Sequence, residues 1–406
     1  MLDFACGETV SKSEPIIARG NKVLFGNYAR FPLAIKKGRD CRVFDWDGRA
    51  YLDFVAGVAV TSLGHCHPKV TVAVQKQAQR LVHCSNLYYN EPQVALAEAL
   101  VASSFGDRVF FCNSGAEANE AAIKLARKAM GPSRFEIITV RRSFHGRTLT
   151  TVAATGQDKV KEGFNPLPPG FIHVPFDDLD AMAAAIGPQT AAILVEPVLG
   201  EGGVYPPSAG YLKGLRALCD RHGILLMFDE VQTGVGRCGT LWGYQHDGAV
   251  PDVMALAKGL GNGMPIGALV ATEAAAKALG PGTHGSTFGG GPLACAGALA
   301  VLQTIQDDPW LLENTRAMGA KLMAGLTALK ARQRRIIDVR GRGLLLGVHL
   351  DGPARPVAEA CLTRGLLVSL VGGGETVRFS PPLTVREADV DDALAIFEKA
   401  VAETAA

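Results

Sequence analysis

The chain has 406 residues, of which 48% are hydrophobic and 20% are charged, and its formal net charge at pH 7 is +2. This length exceeds what one hydrophobic core usually organises, so we expect a globular protein of two domains. The near balance of charge argues against nucleic-acid binding, and no apolar run is long enough to predict a membrane span.

Cysteine usage and the N-terminal sequence predict the compartment. The nine cysteines form no CxxC pair, which favours reduced thiols over a disulfide framework. The N-terminal sequence lacks the basic segment and the apolar run of a signal peptide. Together these features predict a cytoplasmic protein.

The first elements in chain order are an arm and a hairpin. Proline and glycine are spread over residues 1–40, which we interpret as an irregular arm. Strands over 43–46 and 49–54 then flank Asp47-Gly48, a pair that favours a tight type I′ turn.

From about residue 68, helices alternate with short apolar runs, which indicates a mostly parallel, buried sheet with helices on both faces. The apolar runs cover 108–112, 135–140, 191–196, 224–229, 253–257 and 268–271.

The pattern changes again after about residue 308. A long amphipathic helix over 309–331 is followed by short strands and helices in mixed order, which predicts a smaller α+β domain. We therefore divide the chain into an N-terminal arm and hairpin that belong to the small domain (1–60), a large domain (61–308) and a C-terminal α+β domain (309–406).

Polar residues follow four of the apolar runs. The run at 108–112 leads into Ser114-Gly115-Ala116 and a helix. The runs at 191–196 and 224–229 end in Glu196 and Asp229, and Lys258 follows the run at 253–257. Ligands of an open parallel sheet bind beyond the carboxyl ends of its strands. We therefore expect these four endings to form one site.

Each ending has a chemical interpretation and a structural one. The turn at Ser114 can bind a phosphate through free backbone N–H groups, or Ser114 can simply cap the helix. A buried Asp229 needs a partner, which can be a protonated ring nitrogen, a helix end or Arg237. Lys258, followed by glycines, suits an aldehyde with which it would form a Schiff base; a surface lysine is the alternative.

The segment Phe144-His145-Gly146-Arg147 offers two further groups. Phe144 can cover a planar cofactor ring, and Arg147 can bind a carboxylate through two hydrogen bonds. The alternatives are a core phenylalanine and a surface arginine. A Schiff-base lysine, an acid for a pyridinium nitrogen and a phosphate turn together match the needs of pyridoxal 5′-phosphate.

Long motifs identify a family resemblance that covers nearly the whole chain. The chain resembles the class III aminotransferases of the fold type I pyridoxal-phosphate-dependent transferases, and most closely the acetylornithine aminotransferases of arginine biosynthesis. The motifs are FFCNSGAEANEAAIKLAR (110–127), SFHGRTL (143–149), VEPVLGEGGV (195–204), LLMFDEVQTGVGRCG (225–239), ALAKGLGNGMPIGAL (255–269), THGSTFGGGPLA (283–294) and VRFSPPL (377–383).

The resemblance implies a role for each matching residue. At the cofactor, Gly115 and Ala116 bind the phosphate, Phe144 stacks on the ring, and Asp229 pairs with the ring nitrogen. Lys258 carries the cofactor, and Thr287 reaches the phosphate from a neighbouring subunit, which implies a homodimer with shared sites. The implied cofactor-binding residues are Ser114, Gly115, Ala116, Phe144, Asp229, Val231, Gln232, Lys258 and Thr287.

The resemblance also implies how substrates bind. Arg147 holds a substrate carboxylate, and Ser286 lies near the substrate. Arg378 takes the α-carboxylate of glutamate, and Glu201 pairs with Arg378 while an ω-amino substrate is bound. Three residues depart from the commonest family pattern near the site: Asn262, Met264 and Gly291.

The implied reaction moves the δ-amino group of N2-acetyl-L-ornithine to 2-oxoglutarate. Its products are N-acetyl-L-glutamate 5-semialdehyde and L-glutamate. Succinylornithine, succinyldiaminopimelate, ornithine, N-acetyllysine and 4-aminobutyrate remain alternative amine donors. A glutamate-semialdehyde aminomutase fits less well because it needs no switched arginine like Arg378.

Two other classes of protein fit the sequence less well. A nicotinamide-dependent oxidoreductase needs a glycine fingerprint that opens a helix, whereas residues 341–347 lead into a predicted strand. A non-catalytic scaffold does not explain Lys258 and Asp229. His65-Cys66-His67 has no zinc-site spacing, so we predict no metal.

Overall fold

Fifteen strands form three sheets in residues 11–404, the part of the chain that the computed structural model describes. The strands are β1 Ile35–Arg39, β2 Arg42–Asp45, β3 Ala50–Asp53, β4 Arg108–Cys112, β5 Glu136–Val140, β6 Phe171–Val174, β7 Thr190–Val195, β8 Leu225–Asp229, β9 Val253–Leu256, β10 Gly267–Ala271, β11 Ile336–Arg342, β12 Leu345–Leu350, β13 Leu366–Leu367, β14 Ser369–Val371 and β15 Thr376–Phe379.

The central sheet has seven strands in the order β4-β10-β9-β8-β7-β5-β6. Strand β10 runs antiparallel to both of its neighbours, and the other pairs are parallel. The prediction of a mostly parallel central sheet is therefore confirmed. Because β4 lies across β10 from β9, β4 and β9 point the same way and end at the same edge.

Both faces of this sheet are covered. Along β8, Leu226 and Phe228 belong to one buried apolar cluster, whereas Met227 belongs to another. The second cluster includes the alanine-rich face of the helix Gly115–Ala129, and the first includes the helices Tyr211–His222 and Pro292–Asp307. Burial on both faces explains why these strands are apolar throughout instead of alternating with polar residues.

The helices pack around the sheets, and the long helix predicted over 309–331 is confirmed as Trp310–Arg332. Those within the described residues are Ser13–Val23, Pro68–Ala78, Glu91–Ser103, Gly115–Ala129, Leu149–Ala154, Leu179–Ala185, Tyr211–His222, Glu273–Ala276, Pro292–Asp307, Trp310–Arg332, Arg355–Thr363 and Glu387–Glu403. At 56–59, four consecutive residues have positive φ and form a left-handed turn.

The two smaller sheets have four strands each. One has the order β1-β2-β3-β13 and joins N-terminal strands to a C-terminal strand, with Leu52 paired to Leu366. The other, β11-β12-β15-β14, is antiparallel and lies wholly after residue 308. The smaller α+β unit is confirmed, and the grouping of residues 1–60 with it remains a prediction. The division at residues 60 and 308 remains a prediction.

The prediction of an irregular arm over 1–40 is wrong for two segments, and residues 1–10 lie outside the described residues. Ser13–Val23 is a helix and Ile35–Arg39 is a strand. The helix begins where Asp47 accepts hydrogen bonds from the Lys12 N–H (2.6 Å) and the Ser11 hydroxyl (2.9 Å). A carboxylate at a helix N-terminus is stabilising. This contact joins distant residues, so local sequence does not reveal it.

The hairpin at 42–53 is confirmed, but its turn is not type I′. A type I′ turn needs positive φ at both central residues, and here Gly48 has a φ of +90° whereas Asp47 does not. The Gly48 N–H donates to the Asp45 carbonyl, and the Asp45 carboxylate accepts the N–H groups of Asp47 and Arg49. The Asp45 side chain therefore organises the longer loop.

None of the helices between residues 11 and 404 combines the length and the apolarity that crossing a membrane requires.

Candidate active site

A cavity of about 400 Å³ opens at the carboxyl ends of β4, β7, β8 and β9. The four polar strand endings line it: Ser114, Glu196, Asp229 and Lys258. They lie around one cavity because parallel strands bring their carboxyl ends to one edge of the sheet. The roles predicted for them depend on the contacts that each makes there.

The turn after β4 is built from small residues that permit close packing. The Ser114 hydroxyl accepts the Glu117 N–H at 3.2 Å, so Ser114 caps the helix. A Cβ on Gly115 would lie 2.7 Å from a Val231 methyl group, and a Cβ on Gly146 would lie 2.7 Å from that of Ala116. The N-terminus of this helix lies at the cavity, and its first backbone N–H groups have no partner within the helix. Such a helix end favours an anion.

Asp229 is buried, and both of its carboxylate oxygens have hydrogen-bond partners. Its Oδ2 accepts hydrogen bonds from Asn119 Nδ2 at 2.7 Å and lies 2.8 Å from His145 Nδ1, while its Oδ1 accepts the Val231 N–H at 3.1 Å. Arg237 instead donates to the carbonyl groups of Leu344 and Pro381. The alternative of an Asp229–Arg237 ion pair is therefore wrong.

Sequence reasoning assigned no role to Asn119 and His145. Asn119 lies one helical turn after Gly115, so its side chain reaches the same edge of the sheet. His145 directly follows Phe144, and its Nε2 is buried without a hydrogen-bond partner among the described residues. The helical spacing from the small-residue turn was the available signal for Asn119. No local signal pairs His145 with Asp229, which lies 84 positions away.

Glu196 connects three parts of the site. Its two carboxylate oxygens accept the N–H groups of Phe144 and Gly200, each at 2.9 Å. Burial, reinforced by the negative charge of Asp229, raises the pKa of Glu196 above its ordinary value. The side chain thereby fixes the segment that carries Phe144 relative to the turn that carries Glu201.

Lys258 follows β9 in a left-handed backbone conformation, with a φ of +45°. Such a conformation is uncommon for a residue with a Cβ, and it is kept where the surroundings enforce it. A Cβ on the next residue, Gly259, would lie 2.6 Å from the Ser62 hydroxyl, which shows how tightly this turn is packed. Burial lowers the pKa of Lys258, whose side chain lines the cavity.

Phe144 and Arg147 stand at the cavity wall and mouth. Phe144 is partly buried and lines the cavity, and the exposed Arg147 guanidinium lies 5.5 Å from the centre of its ring. A core phenylalanine is thus the poorer interpretation of Phe144. The pair combines an apolar surface with a cation that solvent and ligands can reach.

Glu201 and Arg378 form an ion pair where the cavity approaches the sheet that contains β15. Nη1 of the buried Arg378 lies 2.5 Å from Glu201 Oε1 and 3.0 Å from Gln232 Oε1, and Gln232 donates to Glu201 at 3.2 Å. Burial alone would raise the pKa of Glu201, but the cations of Arg378 and Lys258 lower it to about 2. Glu201 is therefore ionised and covers the arginine.

Ser286 and Thr287 do not line this cavity in the chain as the structure describes it. Ser286 accepts hydrogen bonds from Asn113 Nδ2 (3.2 Å) and from the Gly289 N–H (3.0 Å), and Asn113 does line the cavity. Thr287 is exposed. The role predicted for Thr287 depends on a second subunit, and the role predicted for Ser286 remains a prediction.

The three unusual residues have different positions. Asn262 accepts the Leu63 N–H at 2.8 Å and donates to the Gly64 carbonyl at 3.1 Å, so it holds the segment after the left-handed turn. Met264 lines the cavity. Gly291 precedes the helix that begins at Pro292 and does not line the cavity among the described residues. Of these three residues, Met264 is the one that can contact a ligand there.

Comparison with known proteins places this architecture in one family. The Aminotransferase class-III family profile matches residues 25–401. An acetylornithine aminotransferase of Myxococcus xanthus is 50% identical over 387 residues, which cover 93% of this chain and 96% of the relative.

Solved structures agree. An ornithine aminotransferase of Toxoplasma gondii, with partial occupancy of pyridoxal phosphate at its active site, superposes with a TM-score of 0.93 at 35% identity and covers 97% of this chain and 96% of its own. The N-acetylornithine aminotransferase of Stenotrophomonas maltophilia K279a has a TM-score of 0.82 at 36% identity, covering 95% and 98%. The chain is an enzyme of fold type I, and it belongs to the class III aminotransferase family.

Proposed function

We propose that this enzyme transfers the δ-amino group of N2-acetyl-L-ornithine to 2-oxoglutarate, giving N-acetyl-L-glutamate 5-semialdehyde and L-glutamate in arginine biosynthesis. The observation that carries the proposal is that Glu201, which lines the cavity together with Lys258, forms an ion pair with the buried Arg378. An ω-amino donor and an α-amino acid present different groups to the same lysine. A cation that can be covered and uncovered allows one cavity to accept both.

The residues present fit pyridoxal 5′-phosphate as the cofactor. Gly115 and Ala116 line the cavity at a helix N-terminus, where free backbone N–H groups would bind its phosphate, and the Asp229 carboxylate would be the partner of its ring nitrogen. Phe144 and Val231 would bound the ring, with Gln232 near its hydroxyl group. When bound, this cofactor supplies an aldehyde that carries the amino group and a ring that accepts electrons.

Lys258 would both hold the cofactor and move a proton. A buried lysine with a lowered pKa has a larger neutral fraction at physiological pH, so its Nζ would accept a proton from the substrate carbon and deliver it to the carbon on the other side of the amine nitrogen. Asp229 is positioned by Asn119 and His145, which keeps its carboxylate directed into the cavity. Together these side chains would support proton transfer at a carbon next to nitrogen.

Substrate recognition would use the two arginines. Arg147 at the mouth would bind the carboxylate of the N-acetylornithine donor. During that step Glu201 neutralises Arg378, so no cation competes for the substrate near Lys258. When glutamate or 2-oxoglutarate binds, its α-carboxylate would replace Glu201 on Arg378. Ser286 would contact the substrate from the rim.

We also propose that the enzyme is a cytoplasmic homodimer with shared sites. Asn86 donates to the carbonyl groups of Ser286 and Gly289, which places the 286–289 loop beside the segment that follows Asn86. Large apolar side chains are exposed on these two segments: Leu87, Tyr88, Tyr89 and Phe288. A partner subunit that covers them would receive Thr287 at its own phosphate turn.

The solved relatives include an ornithine aminotransferase, so a comparison of amine donors tests the substrate assignment. Values of kcat/KM should be measured with 2-oxoglutarate for N-acetylornithine, N-succinylornithine, ornithine, N-acetyllysine and 4-aminobutyrate. A clear lead for N-acetylornithine is expected. A lead for another donor would overturn the substrate assignment and would direct attention to Met264 in the cavity wall.

The nicotinamide-dependent alternative is not supported by the structure. The glycines at 341, 343 and 347 lie in and between the antiparallel strands β11 and β12. A dinucleotide fingerprint must instead open a helix after a strand.

A further inference from the structure

Four residues form a row across the antiparallel sheet after residue 308. Arg340 on β11 pairs with Gly347 on β12, which pairs with Arg378 on β15, which pairs with Ser369 on β14. Side chains of directly paired residues lie on the same face of a sheet. The side chains of Arg340 and Arg378 therefore project from the same face on either side of a glycine.

The turn that carries Glu201 rests on this row. A Cβ on Gly347 would lie 2.9 Å from Val204 Cβ, so the absence of a side chain makes room for the turn between the two arginines. The turn is closed at its base by reciprocal backbone hydrogen bonds between Leu199 and Tyr205, both 3.0 Å.

Arg340 binds the backbone of this turn through two hydrogen bonds. Its Nε and Nη2 donate to the Gly203 carbonyl at 2.9 and 2.6 Å, and its guanidinium lies 3.8 Å from the centre of the Tyr205 ring. Asp338 accepts from Arg340 Nη1 at 2.7 Å and completes the arrangement. A planar guanidinium makes the forked bonds and the stacking contact together, which a lysine cannot.

A second contact holds the other side of the turn. The Gly372 N–H donates to the Glu201 carbonyl at 3.0 Å. The backbone of the turn is thus held at Glu201 and Gly203. Movement of Glu201 away from Arg378 therefore has to come from its side chain.

We propose that Arg340 is a positioning residue for substrate selection: it holds the 199–205 turn over Gly347 so that Glu201 is presented to Arg378. This inference rests on the proposed function of the Glu201–Arg378 pair. If the turn is loosened, Glu201 covers Arg378 less well. The kcat/KM for amine donors that need a covered arginine then falls. The kcat/KM for α-amino acids, which need a free arginine, does not fall.

The test is the ratio of kcat/KM for N-acetylornithine to that for L-glutamate, taken from single-turnover reactions of the holoenzyme with each amine donor. Arg340→Lys is expected to lower this ratio roughly fivefold, a size typical of energetic coupling between contacting residues. Gly347→Ala, which presses on Val204 without changing any charge, should lower it in the same direction. Gly347→Ala carries the test by itself if Arg340→Lys does not fold.

Arg342→Lys is the matched control. Arg342 lies on the same strand, and its Nη1 bonds Asp247 at 3.1 Å, away from the turn. This variant should keep the wild-type ratio, and thermal unfolding of both lysine variants would show whether their stabilities are comparable.

A double variant separates positioning from general damage. In the Glu201→Ala background, Arg340→Lys should have no further effect on the ratio, because Arg340 acts through Glu201. The inference is overturned if the lysine substitution leaves the ratio of the wild-type enzyme unchanged, or if its effect persists without the Glu201 side chain. Failure of the proposed function looks different: Glu201→Ala alone would then leave the ratio unchanged.

Discussion

Two carboxylates, Asp229 and Glu201, face the same cavity, and they are held in different ways. Asp229 is bonded by Asn119 and His145, both on segments that pack on the seven-stranded sheet, and its side chain is 4% exposed. Glu201 lies on a turn between that sheet and the sheet of Arg378, and its side chain is 27% exposed.

This difference separates two regions. In the constant region, around Asp229, the carboxylate has the same role for every substrate. In the changing region, around Glu201 and Arg378, the role of the carboxylate depends on which substrate is bound. A carboxylate fixed by neighbours on one sheet keeps its direction through the whole reaction. A carboxylate whose main partner belongs to another sheet can exchange that partner for a substrate carboxylate. The predictions below test whether the two regions differ in this way.

Lys258→Ala removes the group on which both regions depend. We expect kcat to fall by at least about 10⁴-fold for every amine donor, since the variant lacks the amine that holds the cofactor and moves the proton. Steady-state rates and the absorbance of the bound cofactor check this. Lys277→Ala, a change of the same type at a helix end outside the cavity, is the control. Measurable transamination by Lys258→Ala would contradict the assignment.

Asp229→Asn tests the constant region. The amide keeps the shape of the side chain but removes its charge, so we expect kcat to fall about 10³-fold for ω-amino and α-amino donors alike. Asp252→Asn is the control, because Asp252 accepts the Leu226 N–H at the opposite end of the same strand. A change confined to one donor class would show that Asp229 is not the constant element.

Glu201→Ala tests the changing region. It leaves Arg378 without its covering carboxylate, so we expect the ratio of kcat/KM for N-acetylornithine to that for glutamate to fall roughly 10²-fold, as for loss of one partner of a buried pair. Glu375→Ala alters an exposed glutamate in the turn directly before β15 and should keep the ratio. Equal losses for both donors would refute the switch.

The smallest effect concerns stability in acid. The pKa of Glu201 falls from 4.5 to about 2 on folding. Its carboxylate therefore stabilises the folded protein above pH 4.5, and this contribution disappears as the pH falls toward 2. The stability difference between the wild type and Glu201→Gln should be on the order of 1–2 kcal/mol at pH 6 and should shrink at pH 3.5.

Chemical unfolding at the two pH values measures this difference. Glu98→Gln, at an exposed helix position, is the control and should show no such pH dependence. A difference for Glu201→Gln that stays constant between pH 6 and 3.5 would mean that the ion pair with Arg378 contributes nothing to stability.

The sequence predicted the constant region better than the changing one. Strands β7, β8 and β9 are buried on both faces, so they appear as apolar runs whose polar endings reveal the site edge. The partners of Asp229 were missed, because a contact between His145 and residue 229 leaves no local pattern. The Asp47 contact that begins the first helix was missed for the same reason.

The changing region depends on pairing between strands. Arg340 and Arg378 are 38 positions apart, and only the register through Gly347 places them on one face. The family resemblance supplied the roles of Glu201 and Arg378, whereas nothing in the spacing of residues distinguishes Arg340 from a surface arginine. Thr287 shows a further limit, since its predicted role needs a second subunit.

The claim that one cavity serves both substrates is tested most directly by initial rates over a matrix of N-acetylornithine and 2-oxoglutarate concentrations. Alternate use of one site predicts parallel lines in double-reciprocal plots and competition between glutamate and N-acetylornithine. Intersecting lines, or glutamate inhibition that N-acetylornithine does not relieve, would show that the two substrates bind at separate places.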